Sequence, residues 1–131
     1  MVPIYNRAGQ IQRLIENLLS QDITDAESLL LDDGSTDDTN ERIKALLPMD
    51  TRLRLISKSN TGTGETRNLG IHESKGKWLF LLDSDDAIPS TTILSKLIRL
   101  TEDNGVQIAG GSIQFQKTWK GGGCCQGVDK R

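Results

Sequence analysis

The chain has 131 residues and a formal net charge of −2. That length suits one domain with a real core and is too short for two ordinary ones, and the slightly acidic balance speaks against a nucleic-acid binder relying on a basic face. No apolar run approaches the roughly 20 residues of a membrane span; the start of the chain is amphipathic and carries Glu16, so a cytoplasmic domain is expected, or part of a longer protein held at the cytoplasmic face of a membrane.

Short apolar runs alternate with helical periodicity, the signature of βα units around a parallel sheet, so the fold class is α/β. Residues 2–5 are a first β-prone run, and Ile11, Leu14, Ile15, Leu18 and Leu19 then recur at helical spacing, with one core-facing stripe. A second strand over 28–31 runs into Asp32 and Asp33. Gly34 supplies a turn, and Ser35 with Asp38 resembles a capping box opening a helix that carries Ile43, Leu46 and Leu47 and stops before Pro48. Residues 53–57 predict a third strand, followed by the loop Asn60-Thr61-Gly62-Thr63-Gly64 and a short helix to Ser74.

Residues 78–82 are apolar at consecutive positions, as in a strand covered on both faces. After the acidic loop Asp83-Ser84-Asp85-Asp86, Pro89 and Ser90 open a fourth helix with Ile93, Leu94, Leu97, Ile98 and Thr101 on one face. Residues 106–109 predict a fifth strand and 113–115 a sixth. Beyond Trp119 the sequence is Gly-rich and aperiodic, which divides the chain into a domain over 1–116 and a flexible tail over 117–131. Cys124 and Cys125 are adjacent in that tail, a spacing that suits neither an ordinary bridge nor a zinc site, and the one histidine, His72, reads as a surface residue of a helix.

Tyr5 and Asn6, Asp32 and Asp33, Asn60, and Asp83 to Asp86 all follow a strand and precede a helix. In an open parallel sheet those ends lie along one edge, where ligands bind. Clustered hard oxygens in the acidic loop suit Mg²⁺ or Mn²⁺ completed by phosphate oxygens and water; the same acids also read as a solvated turn capping the next helix, and taken alone they do not choose. The Thr61–Arg67 stretch lacks the third glycine of G-x-G-x-x-G and follows the third strand, so a dinucleotide fingerprint is rejected, and no P-loop sequence occurs. Arg67 reads either as a phosphate partner or as an arginine paired with a local acid such as Asp85.

Taken in order, VPIYNR at 2–7, LLLDDGSTDDT at 29–39, NTGTGETRNLG at 60–70 and LDSDD at 82–86 resemble family 2 glycosyltransferases of the GT-A fold, over about residues 2–110. The resemblance implies a Rossmann-like, mostly parallel sheet with flanking helices, incomplete at its C-terminal acceptor half. It implies transfer of a sugar from a nucleoside-diphosphate donor, such as a UDP-sugar, to a saccharide or lipid-linked acceptor, with inversion and with Mn²⁺ or Mg²⁺, as in polysaccharide biosynthesis. Pro3, Tyr5 and Asn6 match the nucleoside-holding end of the first strand, Tyr5 stacking on the base. Asp33 matches the carboxylate that hydrogen-bonds the base, and Arg67 lies in the segment facing the nucleotide. Asp83 and Asp85 form the D-x-D motif and Asp86 extends it, dividing ribose and metal between them.

The family's general base lies beyond the fifth strand, where this sequence has only Asp129, so no catalytic base is expected within the chain. Three other classes stay open: a nucleotide-sugar-binding module without turnover, an assembly domain whose exposed sheet edge drives a homodimer, and a sugar nucleotidyltransferase. The last wants a basic, Gly-rich phosphate loop after the first strand, of which Asn6-Arg7-Ala8-Gly9 is a thin version.

Overall fold

Leu29, Leu30 and Leu31 are consecutive and all buried, which requires a strand covered on both faces. In the computed structural model, which describes residues 1–111, they lie in β2 (Ser28–Asp33). β1 (Val2–Ile4) and β3 (Leu53–Lys58) flank it in a parallel sheet of order β1-β2-β3. The register sets Ile4 opposite Asp32, and Asp33 opposite Lys58.

Crossover helices cover the two faces. α1 (Ile11–Leu19) and α2 (Thr39–Leu46) bring Ile11, Leu14, Ile15 and Ile43 against Val2, Ile4, Leu30 and Leu53 on one face. α3 (Thr63–Glu73) lies on β1 and β2 at the other face, where Met1, Leu29 and Leu31 are buried. The approach there is close because residue 70 is glycine: a Cβ would stand 2.1 Å from Met1 Sδ and 2.5 Å from Leu31 Cδ1. α4 (Ile93–Asn104) follows the acidic loop, with Ile93 and Leu94 packed against the first core. No helix among the described residues is long and apolar enough to cross a membrane.

Several sequence expectations change in detail. β2 runs on through Asp32 and Asp33, because both carboxylates find hydrogen-bond partners at once on leaving the core. The Ser35–Asp38 capping box does not form. The Ser35 hydroxyl instead accepts the Asn6 N–H at 3.0 Å, and Asp37 receives the Thr39 N–H at 3.1 Å. The fourth helix begins at Ile93, after the bends at Pro89 and Ser90.

Residues 78–82 are not a regular strand. The Met1 ammonium donates to the Phe80 carbonyl at 2.6 Å, and the Leu82 N–H donates to the Met1 carbonyl at 3.2 Å. This is a single rung of parallel pairing, with Leu81 opposite Met1. Leu82 is buried, whereas Leu79 and Leu81 are 42% and 54% exposed, so the segment is covered on one face only.

Residues 106–109 also form no strand. Gly105, at φ 61°, closes α4, and the Val106 N–H is taken by the Thr101 carbonyl at 3.1 Å, a helix-capping bond that removes it from any ladder. The expected strand at 113–115 and the tail over 117–131 lie outside the described residues.

Gly70→Ala is expected to lower stability by about 1–3 kcal/mol through overpacking between α3 and the sheet. A urea-unfolding midpoint equal to that of the unsubstituted chain would show that the contact yields without cost.

Candidate functional site

Side chains alternate across a strand, so Asp32 and Asp33 leave β2 on opposite faces. Asp32 turns toward α2, accepting the Ser35 N–H at 3.1 Å and the Asn40 amide at 2.7 Å. Asp33 turns toward the loop before α3, where it accepts the N–H groups of Thr61 at 3.0 Å and Gly62 at 2.9 Å and pairs with Lys58. Burial pushes the Asp33 carboxyl up, but the hydrogen bonds from Lys58, Thr61, Thr66 and Gly62 outweigh it and hold the group below the usual carboxylate range. Gly34, at φ 71°, makes the approach of the two loops feasible, since a Cβ there would stand 2.6 Å from the Asn60 nitrogen.

The strand ends enclose one cleft of about 520 Å³, within the range of small-molecule sites. β1 contributes Pro3, the loop after it Tyr5 and Arg7, β2 Asp33 and α3 Arg67, facing Asp83 and Asp85. Tyr5 is 45% exposed, an aromatic face left uncovered at the cleft.

Charges in the cleft are paired across elements. Arg67 pairs with Asp83 and so does not reach Asp85, because α3 packs on β1, beside which Leu82 and Asp83 run. Arg7 donates from Nε to the Ser84 hydroxyl at 3.1 Å and lies 3.7 Å from Asp85. Asp86 is exposed and has no ion pair among the described residues; its N–H closes the turn by donating to the Asp83 carbonyl at 3.1 Å. Among the described residues, no three Asp, Glu, His or Cys side chains come together as a metal-holding group.

Pro3, Tyr5, Asp33, Arg67, Asp83 and Asp85 are thus brought together from segments 80 residues apart in the chain. Asn6 does not line the cleft. At φ 52°, its amide is engaged with Thr36, accepting that residue's N–H at 2.8 Å and donating to its hydroxyl at 3.3 Å. The loop after β1 is no phosphate cradle either, since the N–H groups of Asn6, Arg7 and Ala8 are taken by Ser35, Thr39 and Asp37.

Two basic residues at the site carry roles that sequence reasoning did not assign. Lys58 is the last residue of β3 and neutralises Asp33, and Arg7 is read from sequence only as part of the thin phosphate loop. The available signal was a basic residue at or just past a strand end, facing acids at the next one.

The sequence profile described as Glycosyl transferase family 2 matches residues 1–118. This chain belongs to that family. It is 29% identical over 119 residues to the glycosyltransferase GlyG of Streptococcus pneumoniae, a match covering 90% of this chain and 40% of that protein. The family 2 chain therefore spans about two fifths of that relative's length. The structure of S. aureus TarS 1-349 in complex with UDP-GlcNAc superposes with a TM-score of 0.71 at 28% identity, covering 79% of this chain and 30% of TarS 1-349. The mannosyltransferase PcManGT from Pyrobaculum calidifontis, in complex with GDP-Man and Mn²⁺, superposes with a TM-score of 0.69 at 22% identity, over 76% of this chain and 30% of its own, and shares the fold. The α/β, Rossmann-like parallel sheet with flanking helices expected of a GT-A domain is the fold found, over part of the relatives' chains.

Asp33→Asn is expected to lower stability by about 2–4 kcal/mol at pH 7, because it leaves Lys58 without its buried partner. Since the folded pKa of Asp33 is lowered, its contribution is present above the unfolded value of about 3.8 and is lost as pH falls through the lower folded one. Urea titrations at pH 7 and in strong acid should therefore show the gap between variant and parent closing on acidification.

Proposed function

We propose that the cleft binds a nucleoside-diphosphate sugar, a UDP-sugar in the first instance, with a divalent cation, and that the chain is the donor-binding part of a glycosyltransferase. The observation that carries this is the convergence of Tyr5, Asp33, Arg67, Asp83 and Asp85 on one cleft at the carboxyl edge of a parallel sheet. TarS, at 28% identity, is in complex with UDP-GlcNAc, which supports UDP as the first donor nucleotide to test.

Roles follow from what each group has free. Tyr5 offers a half-exposed ring for stacking on the base, with Pro3 beside it. Asp33 lines the cleft as a carboxylate held by Lys58, Thr61, Thr66 and Gly62, and an N–H of the base is its proposed partner there. Arg67 stands near the start of α3 as a cation for phosphate oxygens.

The donor set fits Mn²⁺ or Mg²⁺. Asp85, with its side chain 65% exposed and its nearest ion-pair partner 3.7 Å away, and Asp86, which makes no ion pair among the described residues, offer hard carboxylate oxygens, whereas Asp83 is engaged by Arg67 and the three do not gather into one group. One or two carboxylates with phosphate and water oxygens make an ordinary site of this kind. Bound there, the cation would stabilise negative charge developing on the diphosphate as the sugar leaves. Transfer to a saccharide or lipid-linked hydroxyl, with inversion, needs a general base within hydrogen-bond reach of that hydroxyl, a role that this proposal assigns to no residue of the chain.

Titration calorimetry is expected to show UDP binding that requires Mn²⁺ or Mg²⁺ and that weakens at least about tenfold in Asp85→Ala, the loss of one charged contact. Binding of equal strength in EDTA, untouched by Asp85→Ala, would refute the metal-assisted donor site.

A further inference from the structure

Arg7 is fixed at its backbone and free at its tip. Its N–H donates to the Thr39 hydroxyl at 2.8 Å, and Thr39 is fully buried. Its carbonyl accepts the N–H groups of Gln10 at 2.8 Å and Ile11 at 3.0 Å, where α1 begins. From that base the side chain crosses to the acidic loop 77 residues on, donating from Nε to Ser84 at 3.1 Å. Among the described residues only Nε is consumed; of the four N–H donors on the two terminal nitrogens, the one contact there is with Asp85, at 3.7 Å between side chains 35% and 65% exposed. An exposed pair at that distance contributes about 0–1 kcal/mol, so it exchanges readily for a better partner.

The loop it reaches is held independently. Asp83 is tied to Arg67, and downstream the Asn17 amide bonds both ways with Ile88, accepting its N–H at 2.8 Å and donating to its carbonyl at 2.9 Å. The Arg7 tip can therefore change partner while the loop backbone stays in place. Every acid lining the cleft has a basic counterpart, Asp33 with Lys58, Asp83 with Arg67 and Asp85 with Arg7, and the last pair is the longest and most exposed.

We propose that Arg7 is a positioning residue with alternating partners: it occupies Asp85 before a divalent cation arrives, and is released toward the donor's diphosphate when the cation takes Asp85. The same guanidinium then opposes the cation in the nucleotide-free protein and favours the nucleotide once the cation is bound. That coupling delays metal capture until phosphate is available. The inference rests on the donor-site proposal above.

The test measures two affinities of the full chain by titration calorimetry, for Mn²⁺ alone and for UDP at saturating Mn²⁺, with thermal melts as a check of folding. Arg7→Gln removes the charge. It is expected to bind Mn²⁺ alone about threefold to fivefold more tightly, the scale of an exposed charge interaction, and UDP about tenfold more weakly, the scale of a lost charge-assisted hydrogen bond. Arg7→Lys keeps the charge and loses the fork, so Mn²⁺ affinity should stay near the parent's while UDP binding recovers only in part. Opposite movement of the two affinities is something loosening of the loop alone would not produce. A common fall in both, or no change in either, overturns the inference. Failure of the donor-site proposal shows separately, in a parent chain that does not bind UDP with Mn²⁺.

Discussion

The parallel register of β1, β2 and β3 places Ile4 beside Asp32, and Asp33 beside Lys58, and the second of those rungs positions the buried carboxylate of the cleft together with its ionic partner. Parallel strands end on the same side, so the loops that follow them meet at one edge whatever their separation in sequence. β2 is the rigid member: three consecutive leucines buried on both faces hold it, and the two aspartates at its end inherit that rigidity. With alternate side-chain directions, one carboxylate organises the start of α2 and the other organises the loop into α3.

Asp33 shows how a buried charge is made tolerable. Its carboxylate leaves water almost entirely, a cost that is met only if ionic and N–H partners surround it, and Lys58, Thr61 and Gly62 do so. The acidic loop follows a different rule. Asp83, Asp85 and Asp86 stay partly or well exposed, and repulsion among them is moderated by water and by arginines from the loop after β1 and from α3. A site made this way is weakly self-neutralised, its Arg7–Asp85 pair 3.7 Å apart and largely in water.

Apolar periodicity made most of the fold legible. The stripes at Ile11, Leu14 and Ile15 and at Ile43, and the leucines of β2, are the core that forms. Legibility failed where pairing partners mattered more than local pattern. Residues 78–82 have the composition of a buried strand, yet among the described residues they bond to the sheet edge through Met1 in one rung, and Leu79 and Leu81 stay exposed. Residues 106–109 lose their first N–H to the cap of α4. Ser35 and Asp38 match a capping box in spacing, but Ser35 is claimed by Asn6 from another loop, a competition no local rule anticipates.

By itself the amino-acid sequence determined the α/β class, the order of β1 to β3 and of α1 to α4, and that Tyr5, Asp32 and Asp33 stand at strand ends, because hydrophobic period and turn chemistry are local properties. Only the tertiary structure decided the partners: Asp33 with Lys58, Arg67 with Asp83 instead of Asp85, Arg7 inside the cleft and Asn6 outside it. Those choices depend on distances between segments far apart in the chain, and such distances are set by how α3 and the 78–82 segment pack beside β1, not by any spacing along the sequence.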